Sequence, residues 1–163
     1  MPVIKTIKTV ICLVLAIGIC LLAGYVGSMY TTPSLPTWYA GLQKPDLNPP
    51  SWVFAPVWTA LYILMGISLC LILRSGITRG EVLAGLVLFV LQLGLNIGWS
   101  YLFFGWHAIF FALMCIIALW AVLLCTIIQV SRFSIFGAAL LIPYLIWTSF
   151  AAYLNYAIMV LNP

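Results

Sequence analysis

Charge is what this sequence has least of. Only 5% of its residues are Asp, Glu, Lys or Arg, against roughly a quarter in soluble domains, and that excludes an ordinary water-soluble fold. The two acidic residues, Asp46 and Glu81, and the single histidine, His107, are too few and too far apart for a carboxylate pair or a metal-ligand cluster. No nucleophile–base pair and no Gly-rich phosphate loop is present, so the motifs give no case for hydrolytic or redox catalysis. No Asp, Glu, Lys or Arg lies centrally in an apolar run, where pumps and ion-coupled transporters place an ionisable group. The six Lys and Arg residues are scattered and form no patch, which excludes a nucleic-acid partner. The five cysteines, Cys12, Cys20, Cys70, Cys115 and Cys125, all sit in apolar stretches without a C-x-x-C pair. They read as small hydrophobes, with no disulfide and no metal expected.

What the chain does have is apolar length. Hydrophobic residues make up 66% of it, and a helix needs about 20 of them in succession to cross a bilayer. Five segments qualify, at about 9–30, 51–73, 82–103, 107–130 and 134–160. The first follows Lys5 and Lys8 as a secretory leader would, but it is long enough to span and is taken as the first span. Runs this long and continuous are unsuited to barrel strands, and backbone groups in lipid must be satisfied within their own segment. The fold class expected is therefore an all-α membrane protein, one five-helix transmembrane bundle over residues 1–163. Its one extended connection is a loop over 31–50. Six of the nine prolines fall between Pro33 and Pro56, so this loop is stiff, and it reads as a lid over one end of the bundle. Lys5, Lys8, Arg74, Arg79 and Arg132 collect at one end, against Lys44 beside Asp46 at the other. The positive-inside rule then puts the N-terminus in the cytoplasm.

The polar residues at membrane depth are neutral and share faces with aromatics. Gln92, Asn96, Trp99 and Phe103 fall on one face of the third span at helical spacing. Gly94 and Gly98 form a GxxxG pair on nearly the opposite face, suited either to a homodimer seam or to packing within the chain. Phe54, Trp58, Tyr62 and Met65 share a face of the second span, and Tyr144, Trp147, Ala151 and Leu154 or Asn155 one of the fifth, which Pro143 would bend. Stripes of this kind are commonly core packing. Three helices each carrying Trp with polar neighbours would equally make a flat-walled cavity for a planar, largely apolar ligand. His107, beside Trp106 at a span boundary, reads as interfacial.

Three stretches carry a family resemblance: Trp38-Tyr39-Ala40-Gly41-Leu42-Gln43-Lys44-Pro45 with Asn48-Pro49-Pro50-Ser51-Trp52-Val53-Phe54-Ala55-Pro56-Val57-Trp58-Thr59-Ala60-Leu61-Tyr62; Asn96-Ile97-Gly98-Trp99-Ser100-Tyr101-Leu102-Phe103-Phe104-Gly105; and Pro143-Tyr144-Leu145-Ile146-Trp147-Thr148-Ser149-Phe150-Ala151-Ala152-Tyr153-Leu154-Asn155. In this order, over about residues 36–156, they resemble the tryptophan-rich sensory protein/translocator protein family (TspO/MBR, the peripheral-type benzodiazepine receptor family). The resemblance implies a five-helix bundle, commonly a homodimer, in a bacterial or archaeal cell membrane. It implies a cavity under the first loop that takes porphyrins such as protoporphyrin IX, haem-related tetrapyrroles and similar planar hydrophobic ligands, with no obligatory cofactor. By position, Trp58 and Trp147 would flank a porphyrin and Asn96 would hydrogen-bond it. Trp38, Trp52, Tyr62, Trp99 and Tyr144 would complete the wall, and the Pro-rich loop the roof. Two departures stand out. Leu47 occupies a place where many members carry another Trp, and no basic residue follows Arg132, so the C-terminal cholesterol pattern of animal members is absent.

Three functions fit these residues. A tetrapyrrole-binding sensor or regulator is favoured by the tryptophan constellation and the lack of midplane charge. An exporter of porphyrins and other amphipaths would call for repeats or unwound helices, which the sequence lacks. A light-dependent porphyrin-degrading enzyme would depend steeply on Trp58 and Trp147 as its catalytic residues.

Overall fold

The computed structural model describes residues 2–163. Its long helices are α1 (Pro2–Ser34), α3 (Phe54–Arg74), α4 (Gly80–Ser100), α5 (Ile109–Ser131) and α7 (Ile142–Leu161). Two short helices, α2 (Trp38–Gly41) and α6 (Ile135–Ala139), complete the set. The protein is thus an all-helical integral membrane protein with five helices long and apolar enough to cross a bilayer, α6 and α7 together supplying the fifth. The helices close a ring in which α1 packs on α3 and α4, α4 on α5, and α5 on α6 and α7. At the Arg74 end the ring is completed by α6 against α3, where the Ser68 hydroxyl donates to the Gly137 carbonyl at 2.8 Å.

The boundaries expected from sequence shift in four places. The first span is longer at both ends than 9–30. Lys5 and Lys8 lie within α1, where their long stems can follow the helix surface while the ammonium groups reach water. At the other end Thr31 and Thr32 continue the helix, and Pro33 sits in its last turn, where its missing N–H costs one bond. The Thr37 hydroxyl caps the exposed carbonyls by donating to Pro33 O at 2.9 Å. The connection is correspondingly shifted from 31–50 to 35–53, and carries α2 and a turn of 3-10 helix, Ser51–Val53. The third span extends past 103 as a turn of π-helix, Tyr101–Gly105, which turns both Phe103 and Phe104 inward. The segment 134–160 is two helices rather than one bent helix. The chain breaks at Leu140–Leu141, because Pro143 lacks the N–H that would continue α6 and instead sits in the first turn of α7.

Lipid supplies no hydrophobic drive between helices, so close approach of small residues carries the packing. Gly66 is the clearest case: a methyl group there would lie 2.4 Å from the Ile17 Cα. The obstacle is backbone, which cannot swing aside, so α1 and α3 would be forced apart. Gly66→Ala is expected to cost about 1–3 kcal/mol. Thermal unfolding in detergent, followed by tryptophan fluorescence, would show it as a lowered midpoint; an unchanged midpoint would contradict the tight crossing.

Candidate ligand cavity

Between α1, α3 and α4, in the loop-side half of the bundle, lies a cavity of about 320 Å³. Its α3 wall carries Phe54, Trp58 and Tyr62, one turn apart on one face, and its α4 wall carries Trp99, Ser100 and Phe104. The α1 wall is made of small and hydroxylated residues, Gly24, Gly27, Ser28, Thr31 and Thr32, with Leu21 and Tyr25. Gly24 is required there because a Cβ would meet the Tyr62 ring at 2.4 Å. The aromatics form a continuous surface: Trp58 stacks on Tyr62 at 5.7 Å between centroids, lies 6.2 Å from Trp99, and meets Tyr144 edge-on at 6.0 Å. Such a wall offers broad π-faces and few polar atoms, suiting a flat apolar ligand.

Behind this wall runs a buried polar network. The Tyr62 hydroxyl donates to Asn96 Oδ1 at 2.5 Å, and Asn96 Nδ2 donates to the Tyr144 hydroxyl at 2.9 Å. The Trp99 indole donates to Asn155 Oδ1 at 3.0 Å, and Asn155 Nδ2 donates to the Ile109 carbonyl at 3.0 Å. Asn96, Tyr144 and Asn155 are at most 1% exposed. The three helices α3, α4 and α7 are therefore pinned together by satisfied amides and phenols, which fixes the orientation of Tyr62 and, through stacking, of Trp58.

The structure sorts the residues singled out from sequence. Trp58, Tyr62 and Trp99 line the cavity. Asn96 and Tyr144 stand one layer behind it, with both groups of the Asn96 amide already engaged. Trp147 packs edge-on against Phe54 at 6.1 Å and against Phe150 at 5.5 Å, so Phe54 stands between it and the cavity. Its indole N–H is buried and has no partner among the described residues; the same holds for both amide atoms of Gln92, one turn deeper on α4 than Asn96. Trp52 is 74% exposed and faces outward. Gly94 has open space beside it, while Gly98 faces the Cys115 sulfur of α5 at 3.7 Å.

The Pro-rich connection lines the cavity only at its two ends, through Leu35 and Ser51; between them Trp38 and Tyr39 pack over the α4–α5 turn instead. Trp38 stacks on His107 with centroids 4.1 Å apart and meets Phe103 edge-on at 5.5 Å. His107 adopts φ of +56° to turn the chain there. Tyr39 is buried against Phe103 and Phe104 and donates to Asn48 Oδ1 at 2.8 Å. Burial pushes its ionisation above the ordinary range and the Asn48 bond acts against that, leaving a protonated donor at neutral pH. Asn162, just past α7, grips the middle of the loop, accepting from Gln43 N at 3.0 Å and donating to Gln43 O at 2.9 Å.

Sequence reasoning missed the whole α1 wall. The signal was present in Gly24, Gly27, Ser28 and Thr31, small residues at i, i+3, i+4 and i+7 that mark one helix face with little side-chain bulk.

Known proteins place the chain firmly. The model of the TspO/MBR family matches residues 16–161. The chain is 45% identical to the tryptophan-rich protein TspO of Chlorobaculum tepidum, over 96% of this chain and 99% of that protein. It is 43% identical to the tryptophan-rich protein TspO of Archaeoglobus fulgidus, over 92% and 96%. The translocator protein of Bos taurus is 38% identical over 83% and 80%. The motifs around Trp38–Tyr62, Asn96–Gly105 and Pro143–Asn155, the five-span bundle and these matches agree: the chain belongs to the TspO/MBR family.

Proposed function

We propose that this protein is a membrane-embedded binding protein, with a sensing or regulatory role, for tetrapyrroles such as protoporphyrin IX and similar planar hydrophobic molecules. The observation that carries the reading is the cavity wall of Phe54, Trp58, Tyr62, Trp99 and Phe104. Stacking on such rings favours flat ligands whatever their detailed substitution. The hydroxyls of Ser28, Thr31, Ser100 and Tyr62 supply the few polar contacts that orient a ligand in an otherwise apolar site. At about 320 Å³ the cavity lies at the small end of ligand pockets, which run from about 300 to 1,000 Å³. A macrocycle would therefore be gripped along one edge rather than swallowed. In this reading the N-terminus is cytoplasmic, in keeping with the Lys and Arg distribution, and the exposed Gly94 face of α4 serves a homodimer.

The test is a titration of the purified protein in detergent with protoporphyrin IX in the dark, followed by tryptophan quenching and the porphyrin absorption band, then repeated under light. Saturable quenching with a shifted band is expected. Quenching that rises linearly without saturation would contradict the porphyrin reading. Light-driven bleaching of bound porphyrin, lost in Trp58→Phe, would move the protein from sensor to enzyme.

A further inference from the structure

We infer that the ligand reaches the cavity sideways from the bilayer, through a slit between α1 and α3, and not from water past the Pro-rich loop. This rests on the ligand-binding reading above and adds the route and the physical state of the ligand. The rims of the cavity are lipid-facing: Leu21, Tyr25 and Thr32 of α1 and Ala55 and Thr59 of α3 all line it and are all exposed. Tyr25, at 64% exposure, belongs as much to the outer surface as to the cavity. From Leu21 to Thr32 the slit runs about 16 Å at the helical rise of about 1.5 Å per residue. Toward the Arg74 end it closes where Gly66 seats the Ile17 backbone. The two helices thus cross tightly in one half of the membrane and part in the other.

Two further observations agree. Three hydroxyls along the slit donate within their own helices: Ser28 to Tyr25 O at 2.7 Å, Thr31 to Gly27 O at 3.1 Å and Thr59 to Ala55 O at 2.8 Å. Lipid chains can therefore lie against these three positions without stranding a hydroxyl donor. The loop, meanwhile, is held over the end of the bundle by the Trp38–His107 stack, by Tyr39 packed on Phe103 and Phe104, and by the Gln43–Asn162 pair. A ligand dissolved in the membrane meets an open edge, and one in water meets a latched cap. The small cavity volume follows naturally, since part of the ligand can remain in the slit.

Closing a route changes rates and leaves the bound state nearly untouched, so kinetics discriminate. With Cys125 replaced by Ser, Thr32→Cys/Ala55→Cys would be bridged by a reducible bis-methanethiosulfonate in nanodiscs and mixed with protoporphyrin IX in a stopped-flow instrument. Bridging is expected to slow association and dissociation alike by about tenfold or more, with Kd shifted less than about threefold, and reduction should restore both rates. Ala55→Trp, which narrows the slit without a reagent, should slow association in the same direction. Asn162→Ala, which releases the loop at Gln43, should leave association within about twofold. Unchanged rates in the bridged protein, or a large acceleration in Asn162→Ala, would overturn the lateral route. A wild-type protein with no saturable quenching would remove the ligand reading itself, and the route with it, before any slit is closed.

Discussion

Replacing Asn96 by leucine is expected to destabilise the bundle by about 2 kcal/mol and to weaken ligand binding with it. The substitution keeps the volume close but strands the Tyr62 and Tyr144 hydroxyls, both buried and both bonded only through that amide among the described contacts. An unsatisfied buried hydroxyl costs about 1–3 kcal/mol, while hydrogen bonds between membrane helices average well below that. Two together give the intermediate figure. The diagnostic is rescue. Asn96→Leu combined with Tyr62→Phe and Tyr144→Phe removes all the stranded groups and should recover most of the loss in thermal unfolding. If the triple variant were less stable than Asn96→Leu alone, the network would not be the source of the effect.

Trp58→Ala should weaken protoporphyrin IX binding by about 30-fold, the effect of a central aromatic anchor worth about 2 kcal/mol. Trp147→Ala should weaken it by no more than about threefold. The contrast arises because Trp58 faces the cavity directly while Phe54 shields it from Trp147. Trp58→Phe, which keeps a smaller π-face, should fall between wild type and Trp58→Ala. Paired quenching titrations, with unfolding midpoints measured for each variant, separate lost contact from lost folding. Equal losses at the two tryptophans would mean that both touch the ligand, and that Phe54 moves aside when it binds.

These two expectations show where sequence reading succeeds and where it stops. The five spans were legible because continuous apolar length is a local property that the bilayer reads directly. The grouping of Trp58, Tyr62, Asn96, Trp99 and Tyr144 was legible too, since helical periodicity places each on an inward face. Depth along that inward direction was not. Periodicity cannot distinguish Asn96, one layer behind the wall, from Trp99 in the wall, because that depends on how far apart the partner helices stand. The α1 wall escaped because its residues matter for the bulk they lack, and small side chains leave only a faint pattern. The loop escaped for another reason. Its proline content fixes its stiffness but not its resting place, which is set by distant partners such as His107 and Asn162. Helix ends moved by a turn wherever Ser, Thr or Pro could bond or cap within the helix, as at Thr31–Ser34 and Leu140–Pro143.

The cavity has a consequence for function that the aromatic stripes alone do not. On the proposed route, a site open to lipid would sample the concentration of its ligand in the membrane, where planar apolar molecules accumulate. That suits detection of a hydrophobic metabolite better than capture from water, and it needs none of the midplane charges that ion-coupled transport employs. The network of Tyr62, Asn96 and Tyr144 backs the Trp58–Tyr62 wall from behind, on the α4 and α7 side.

A structure of the protein with protoporphyrin IX bound in the dark puts this account to its hardest trial. The macrocycle should lie flat against Trp58 between α1 and α3, with one edge in the slit and the Tyr62–Asn96–Tyr144 bonds intact behind it. A macrocycle found instead beneath Trp38 and the Pro-rich loop, or against Trp147 behind Phe54, would contradict it.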